Sequence, residues 1–369
     1  MKIDYIHFYV EDAKASRDWF VNRMGFQALA SGASRHTLTT VVRSGAIKIV
    51  LSSPLTSASP VAVFLSLHPP GVADIAFEVS DLEGVLERAV ANGAKVLQPV
   101  QQHPLALGGG KWAKIAAWGS LVHTLRESYS PYTLLLPILS DSEMTQEFAT
   151  PVESSEFSST SLGLFTAIDH VVLNVAAGDL ELALSWYEEV LGFQRQQRFT
   201  IQTDRSGLRS QVLVHPSSGV QFPINEPTAA NSQIQEFLEV NQGPGIQHIA
   251  LQTPEIVKAI AQLRHLGLSF LPIPPSYYTQ LRLNHPGLPL SLAELGEIAA
   301  QEILVDWQDE SSSGLLLQTF TQPIFEEPTF FFELIERRQQ AQGFGEGNFR
   351  ALFEAIEREQ MKRGSLPLG

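Results

Sequence analysis

Cysteine is absent from this chain, which excludes disulfides, thiolate metal sites and cysteine nucleophiles together. Long apolar runs are lacking too. The longest, around Tyr132-Thr133-Leu134-Leu135-Leu136-Pro137, falls far short of the ~20 residues a membrane-spanning helix needs. Basic residues are outnumbered, 25 Lys and Arg against 39 Asp and Glu. The formal net charge of −14 argues against a nucleic-acid partner, whose phosphates call for a basic surface. That charge reads instead as an aid to solubility. Nor does the start look like a secretory leader, because MKIDYIHFYV alternates like a strand. These absences predict a cytoplasmic protein without nucleic-acid or membrane partners.

What is present is a repeat. The 369 residues suggest two domains or more, and 44% hydrophobic content suffices for sizeable cores. IDYIHFYVEDAKASRDWFVNRMGFQ (3–27) matches IDHVVLNVAAGDLELALSWYEEVLGFQ (168–194) in an alternating strand, a helix carrying Trp19-Phe20 or Trp186-Tyr187, and a closing Gly-Phe-Gln. Gly25 and Gly192 fall where a helix end needs a left-handed residue. A second pair, 71–99 and 243–272, repeats strand, loop, helix, glycine, strand. Four strand–helix–strand modules therefore make two halves: an N-terminal structural domain over 1–145, a Ser- and Thr-rich linker over 146–165, and a C-terminal domain over 166–369 that holds the chemistry.

The stretch GLLLQTFTQPIFEEPTFFFELIER (314–337) reads as two strands joined by a turn at Glu326-Glu327-Pro328. Its second strand carries Glu333 on one face with Phe331 and Ile335. A buried carboxylate among aromatic rings needs a cation, donors or a proton. Comparing the halves supplies partners: Tyr5 aligns with His170, Asp74 with His248, and His123 with Glu333. One half is thus equipped with His, His and Glu on inward-facing strand positions. Two imidazoles and one carboxylate facing a cavity form the facial triad of non-haem Fe(II) oxygenases, with coordination positions left open. Phe349, Leu352, Phe353 and Ile356 make a helical apolar stripe after Gly343, Gly345 and Gly347, which predicts a terminal amphipathic helix, either a hinged lid over the cavity or a docked end of the chain.

At these residues the sequence resembles a family. The modules are similar to the vicinal oxygen chelate fold, and residues 167–360 resemble the 4-hydroxyphenylpyruvate dioxygenases through IDHVVLNV, GLRSQVL, PINEP, SQIQEFLE, GPGIQHIAL, PPSYYTQL, ILVDWQD, LLLQTFTQP, FFFELIERR and GFGEGNFRALFEAIE. The resemblance implies an α+β fold of four βαβββ modules, with an open curved barrel in each half. It implies one Fe(II) per chain on His170, His248 and Glu333. It also implies catalytic Ser210, Asn225, Gln247 and Gln318, with Pro223, Gln233, Phe320, Phe331, Phe344, Asn348 and Phe349 binding an aromatic 2-oxo acid beside dioxygen. Phenylalanines would wall the ring, and neutral amides and hydroxyls would serve its phenol and ketone. Departures from the family pattern stand at Arg209, Glu336 and Glu346.

The activity so implied is conversion of 4-hydroxyphenylpyruvate and dioxygen to homogentisate and carbon dioxide, a step of tyrosine breakdown or prenylquinone supply, by a homodimer or homotetramer. A 4-hydroxymandelate synthase, with the same iron and substrate, is the alternative. A metal-free binding protein of the same fold is a more distant one.

Overall fold

In the computed structural model, which describes residues 1–103, 109–128, 163–202, 206–307 and 314–364, the alternating runs become strands. The first half contains β1 (Lys2–Tyr9), α1 (Ala13–Met24), β2 (Gln27–Ala33), β3 (Thr37–Ser44), β4 (Ile47–Pro54), α2 (Pro60–Leu65), β5 (Gly71–Glu78), α3 (Leu82–Ala91), β6 (Val96–His103), β7 (Gly110–Ala116) and β8 (Val122–Ser128). The second opens with β9 (Ala167–Asn174) and α4 (Leu180–Trp186), which a π-helical turn (Tyr187–Leu191) extends. It continues with β10 (Gln194–Gln202), β11 (Gly207–Val214), β12 (Gln221–Pro227), α5 (Gln233–Val240), β13 (Gly245–Gln252), α6 (Ile256–His265), α7 (Pro275–Asn284) and α8 (Leu292–Ala300). The chain closes with β14 (Leu304–Asp306), β15 (Leu315–Phe320), β16 (Phe331–Arg338) and, after a short 3-10 turn, α9 (Phe349–Arg363).

The repeat survives in three dimensions. Two eight-stranded sheets run β2-β3-β4-β1-β5-β8-β7-β6 and β10-β11-β12-β9-β13-β16-β15-β14, the same order strand for strand. Each sheet joins two βαβββ modules through one antiparallel pair, β1 with β5 and β9 with β13. This is the α+β architecture that the resemblance implied. Gly25 and Gly192 close α1 and the π turn at φ 69° and 78°, the conformation expected of them. Helices α7 and α8 are additions to the fourth module that the second sequence repeat does not contain. The expected linker lies largely outside the described residues. No helix among those described is long and apolar enough to cross a membrane.

Register corrects one sequence alignment. In the second sheet His248 pairs with Phe331 and Ala250 with Glu333. In the first, Asp74 pairs with Val122 and Phe77 with Leu125, so Thr124, and not His123, occupies the place of Glu333. A one-residue slip moves a side chain to the other face of its sheet. His123 accordingly points away from the Tyr5–Asp74 face. Its Nδ1 lies 3.1 Å from the Ile75 carbonyl and its Nε2 3.1 Å from the Tyr187 hydroxyl of the other half. Thr124 donates its amide N–H and its hydroxyl to the buried Asp74 carboxylate. Tyr5, in the place of His170, fills its sheet face against Val41, Val50 and Ala76.

The halves share one apolar core. Phe330 and Phe332, on the face of the C-terminal sheet opposite Glu333, meet Phe8 and Phe20 at ring-centroid distances of 4.9 and 5.9 Å. Edge-to-face pairs of this kind add to the burial of apolar area. The aromatic run that looked anomalous in sequence thus divides by parity. Odd-numbered positions turn to the cavity and even-numbered ones to the core.

Candidate metal centre

Three neighbouring central strands bring the donors together. His170 is on β9, His248 on β13 and Glu333 on β16, and their ligand atoms all lie within 4.8 Å of one another. His170 Nε2 is 3.2 Å and His248 Nε2 3.7 Å from Glu333 Oε2. The rings of the two histidines cross at 78° with centroids 5.8 Å apart. All three side chains are buried or nearly so, His248 being the most open at 12%.

Two β-bulges orient the imidazoles. Pairing of β9 with β13 skips Asp169, between Ile168 and His170, and Gln247, between Ile246 and His248. A bulge leaves its extra residue unpaired and re-aims the side chains beside it. Here each extra residue turns to the histidine that follows it: His170 Nδ1 donates to Asp169 Oδ1 at 2.9 Å and His248 Nδ1 to Gln247 Oε1 at 3.2 Å. With Nδ1 engaged, each ring presents its Nε2 lone pair inward, as metal-binding histidines do. Arg337 holds Asp169 with two hydrogen bonds of 2.7 Å.

The charges fit a cation. Burial opposes charge on His170, but Glu333 and Asp169 together outweigh it and push the imidazole up to about 9. Burial and the charge of His170 hold His248 well below the usual histidine range. Burial would raise Asp169, yet Arg337 and His170 keep it far below the usual carboxylate range. Glu333 Oε1 is buried with no hydrogen-bond partner among the described residues, which is costly for a carboxylate unless a further group binds it. A divalent cation in place of the shared proton satisfies that oxygen and both Nε2 atoms. The donor set suits iron, whose oxygenase sites use two imidazoles and one carboxylate. Among the described residues one other acidic group could hold a metal, Asp81, Glu83 and Glu127, but it is mostly exposed and Lys111 already pairs with Glu83.

Around the donors runs a cavity lined by twelve of the residues singled out in sequence: His170, Ser210, Pro223, Asn225, Gln233, Gln247, His248, Gln318, Phe320, Phe331, Glu333 and Phe344. Pairing explains much of this, because Ser210 faces Asn225 across β11 and β12, and Phe320 faces Glu333 across β15 and β16. Phe331 stacks on His248 at 4.8 Å, and Phe344 meets His170 edge-on at 5.2 Å. Gln233 Oε1 and Gln318 Oε1 are buried and unpartnered among the described residues, two acceptors in the cavity wall. Val172, Phe199, Ile201, Leu208, Val212 and Ile356 also line the cavity. Val172 follows His170 by two positions and Ile356 belongs to the terminal stripe, whereas Phe199 lies on a mostly exposed strand that carries no signal.

Asn348 is elsewhere. Its Oδ1 accepts from Tyr277 Oη at 2.7 Å, and it does not line the cavity. The side chain of Phe349 lies outside the described residues, as does that of Glu346. Two of the family departures have structural tasks. Arg209 pairs with Glu226, whose Oε2 accepts from the N–H groups of Gly178 and Leu180 at the start of α4. Glu336 accepts from the Ile256 N–H at 2.7 Å, satisfying the first amide of α6.

Comparison with known proteins agrees with this geometry. Models of the Glyoxalase/Bleomycin resistance protein/Dioxygenase superfamily match residues 4–110 and 167–285. The chain is 38% identical to 4-hydroxyphenylpyruvate dioxygenase of Dictyostelium discoideum, over 98% of this chain and 99% of that one. It is 37% identical to that of Yarrowia lipolytica, over 98% and 93%. Among solved structures, a triple mutant of 4-hydroxymandelate synthase from Streptomyces coelicolor superposes with a TM-score of 0.83 at 28% identity, covering 97% of this chain and 98% of that one. On relatives of this identity along nearly all of its length, the chain belongs to the 4-hydroxyphenylpyruvate dioxygenase family.

Proposed function

We propose that the chain is an Fe(II)-dependent dioxygenase converting 4-hydroxyphenylpyruvate and dioxygen to homogentisate and carbon dioxide. One observation carries the reading: three donors from three strands converge on a point where a buried carboxylate oxygen lacks a partner, at the wall of an aromatic-lined cavity. His170, His248 and Glu333 would hold the iron. Bound there, the metal supplies a Lewis acid for the 2-oxo acid and the redox centre for dioxygen.

The protein's share is orientation and dryness. Phe320, Phe331 and Phe344 offer flat apolar surface against which an aromatic ring stacks. Gln233 Oε1 and Gln318 Oε1 are placed to accept from a phenol O–H, because neither is otherwise engaged. Asn225, whose Nδ2 donates to Asn174 Oδ1 at 3.3 Å, keeps its own Oδ1 for a donor in the cavity. Ser210 adds a hydroxyl opposite it. With Phe344 over His170 and Ile356 of α9 in the wall, these side chains would limit the access of water to the reacting centre.

The superposition on 4-hydroxymandelate synthase lends support to a second reading, in which this chain would oxidise the benzylic carbon of the same substrate. Anaerobic reconstitution with Fe(II) and 4-hydroxyphenylpyruvate, followed by oxygen uptake and product identification, separates them. Equal amounts of oxygen consumed and homogentisate formed are expected. Hydroxymandelate as the product overturns the first reading in favour of the second, and absence of turnover with iron bound overturns both.

A further inference from the structure

Arg337 lies four residues beyond Glu333 on β16 and is not among the residues that line the cavity. Its side chain is only 13% exposed and joins two parts of the molecule. On one side Nε and Nη2 donate to Asp169 Oδ2 and Oδ1, both at 2.7 Å, a fork that holds a carboxylate by shape as well as charge. On the other, Nη1 donates to the backbone carbonyls of Ala341 at 3.1 Å and Gly343 at 2.9 Å. Asp169 receives His170 Nδ1–H, and the two carbonyls belong to the segment leading into Phe344, whose ring packs on His170. The contacts close a circuit: His170, Asp169, Arg337, the 341–343 backbone, Phe344 and back to His170.

The backbone inside this circuit needs holding. Gln339 and Gln340 sit at φ 51° and 58°, a left-handed conformation that residues other than glycine adopt only where surrounding contacts keep them there. The two carbonyl contacts of Arg337 follow immediately after that turn.

We propose that Arg337 is a positioning residue that couples metal loading at His170 to the seating of the 341–345 segment, and with it Phe344, over the cavity. This rests on the metal reading of His170, His248 and Glu333. A cation on Nε2 fixes the imidazole, the imidazole fixes Asp169, and the fork transmits that order to the two carbonyls. Coupling of this kind is reciprocal, so a seated segment also strengthens the hold on the metal.

Hydrogen–deuterium exchange on the full chain, metal-free and saturated with Fe(II) under anaerobic conditions, tests it, with loading followed by calorimetry. In the unaltered protein, metal slows exchange of the 341–349 amides by about five-fold or more. Arg337→Gln and Asp169→Asn abolish that slowing at saturating metal and weaken metal binding by about 10–100-fold. Arg337→Lys keeps the charge but not the fork, and loses the slowing as well. Asp169 bonds to none of the segment's backbone, so its variant decides the matter even where Arg337→Gln folds poorly. Slowing that persists in Asp169→Asn or Arg337→Lys overturns the coupling, as does a loaded unaltered protein whose segment exchanges no more slowly. Failure of the unaltered protein to take up metal overturns the metal reading instead.

Discussion

At the scale of single residues, the centre depends on one oxygen. Glu333→Gln conserves shape and burial but removes the charge that balances a cation. The metal-free variant should melt within about a few degrees of the unaltered protein, because relief of a buried, incompletely bonded carboxylate is offset by loss of its pairing with His170. Its affinity for Fe(II) should fall by more than the 10–100-fold that loss of an outer-shell partner costs. Metal analysis after anaerobic loading, with melting curves alongside, checks both, and a variant that retains stoichiometric iron defeats the assignment. Glu333 was legible in the sequence because a charge amid phenylalanines demands a partner, and the repeat pointed to two histidines. Asp169 and Arg337 were not. Their roles arise from a bulge and a turn of the chain, neither of which leaves a periodic trace in the sequence.

At the scale of elements, bulges and a glycine do what periodicity cannot foretell. Strict alternation would send Gln247 and His248 to opposite faces, yet both reach the cavity because β13 carries an unpaired residue. The same limit explains His123, whose apolar flanks fit two registers one residue apart until pairing chooses between them. Gly345 marks the seam between the 341–345 segment and the cavity. Its φ is 78°, and a Cβ there would stand 1.8 Å from Gln318 Oε1. Gly345→Ala should therefore unseat the segment: KM rises about ten-fold or more while the melting temperature changes by only a few degrees, since the core sheets are untouched. Steady-state kinetics with 4-hydroxyphenylpyruvate reads this, and an unchanged KM would mean that the segment does not govern substrate binding.

At the scale of the whole molecule, the two halves are locked by buried contacts, among them the polar His123–Tyr187 pair. Burial depresses His123 to about 4, opposed in part by the Ile75 carbonyl. A histidine whose folded value lies below its unfolded 6.5 takes up protons more readily when unfolded. Its contribution is therefore complete above about pH 6.5 and declines as the pH falls toward 4, by on the order of 3 kcal/mol. Urea titrations across that window should show a shallower decline for His123→Gln than for the unaltered chain. Equal slopes would remove His123 from the account. The α+β class came with the family resemblance, while the repeat itself and the two-half plan could be read from the sequence, because glycine-capped helices between alternating strands leave marks. The shared aromatic core could not, since Phe8, Phe330 and Phe332 read equally well as the private core of either half.

The identical strand order has a consequence for engineering. Tyr5, Asp74 and Thr124 stand where His170, His248 and Glu333 stand in the other sheet, so Tyr5→His, Asp74→His and Thr124→Glu would transplant the ligand set onto ready-made backbone positions. Lys114, however, pairs with Thr124 as Phe320 pairs with Glu333, and its Nζ lies 3.9 Å from the Asp74 carboxylate. An ammonium so close would repel a divalent cation. The triple graft alone should remain without metal, and adding Lys114→Phe should let it bind a second equivalent, which calorimetric stoichiometry would count.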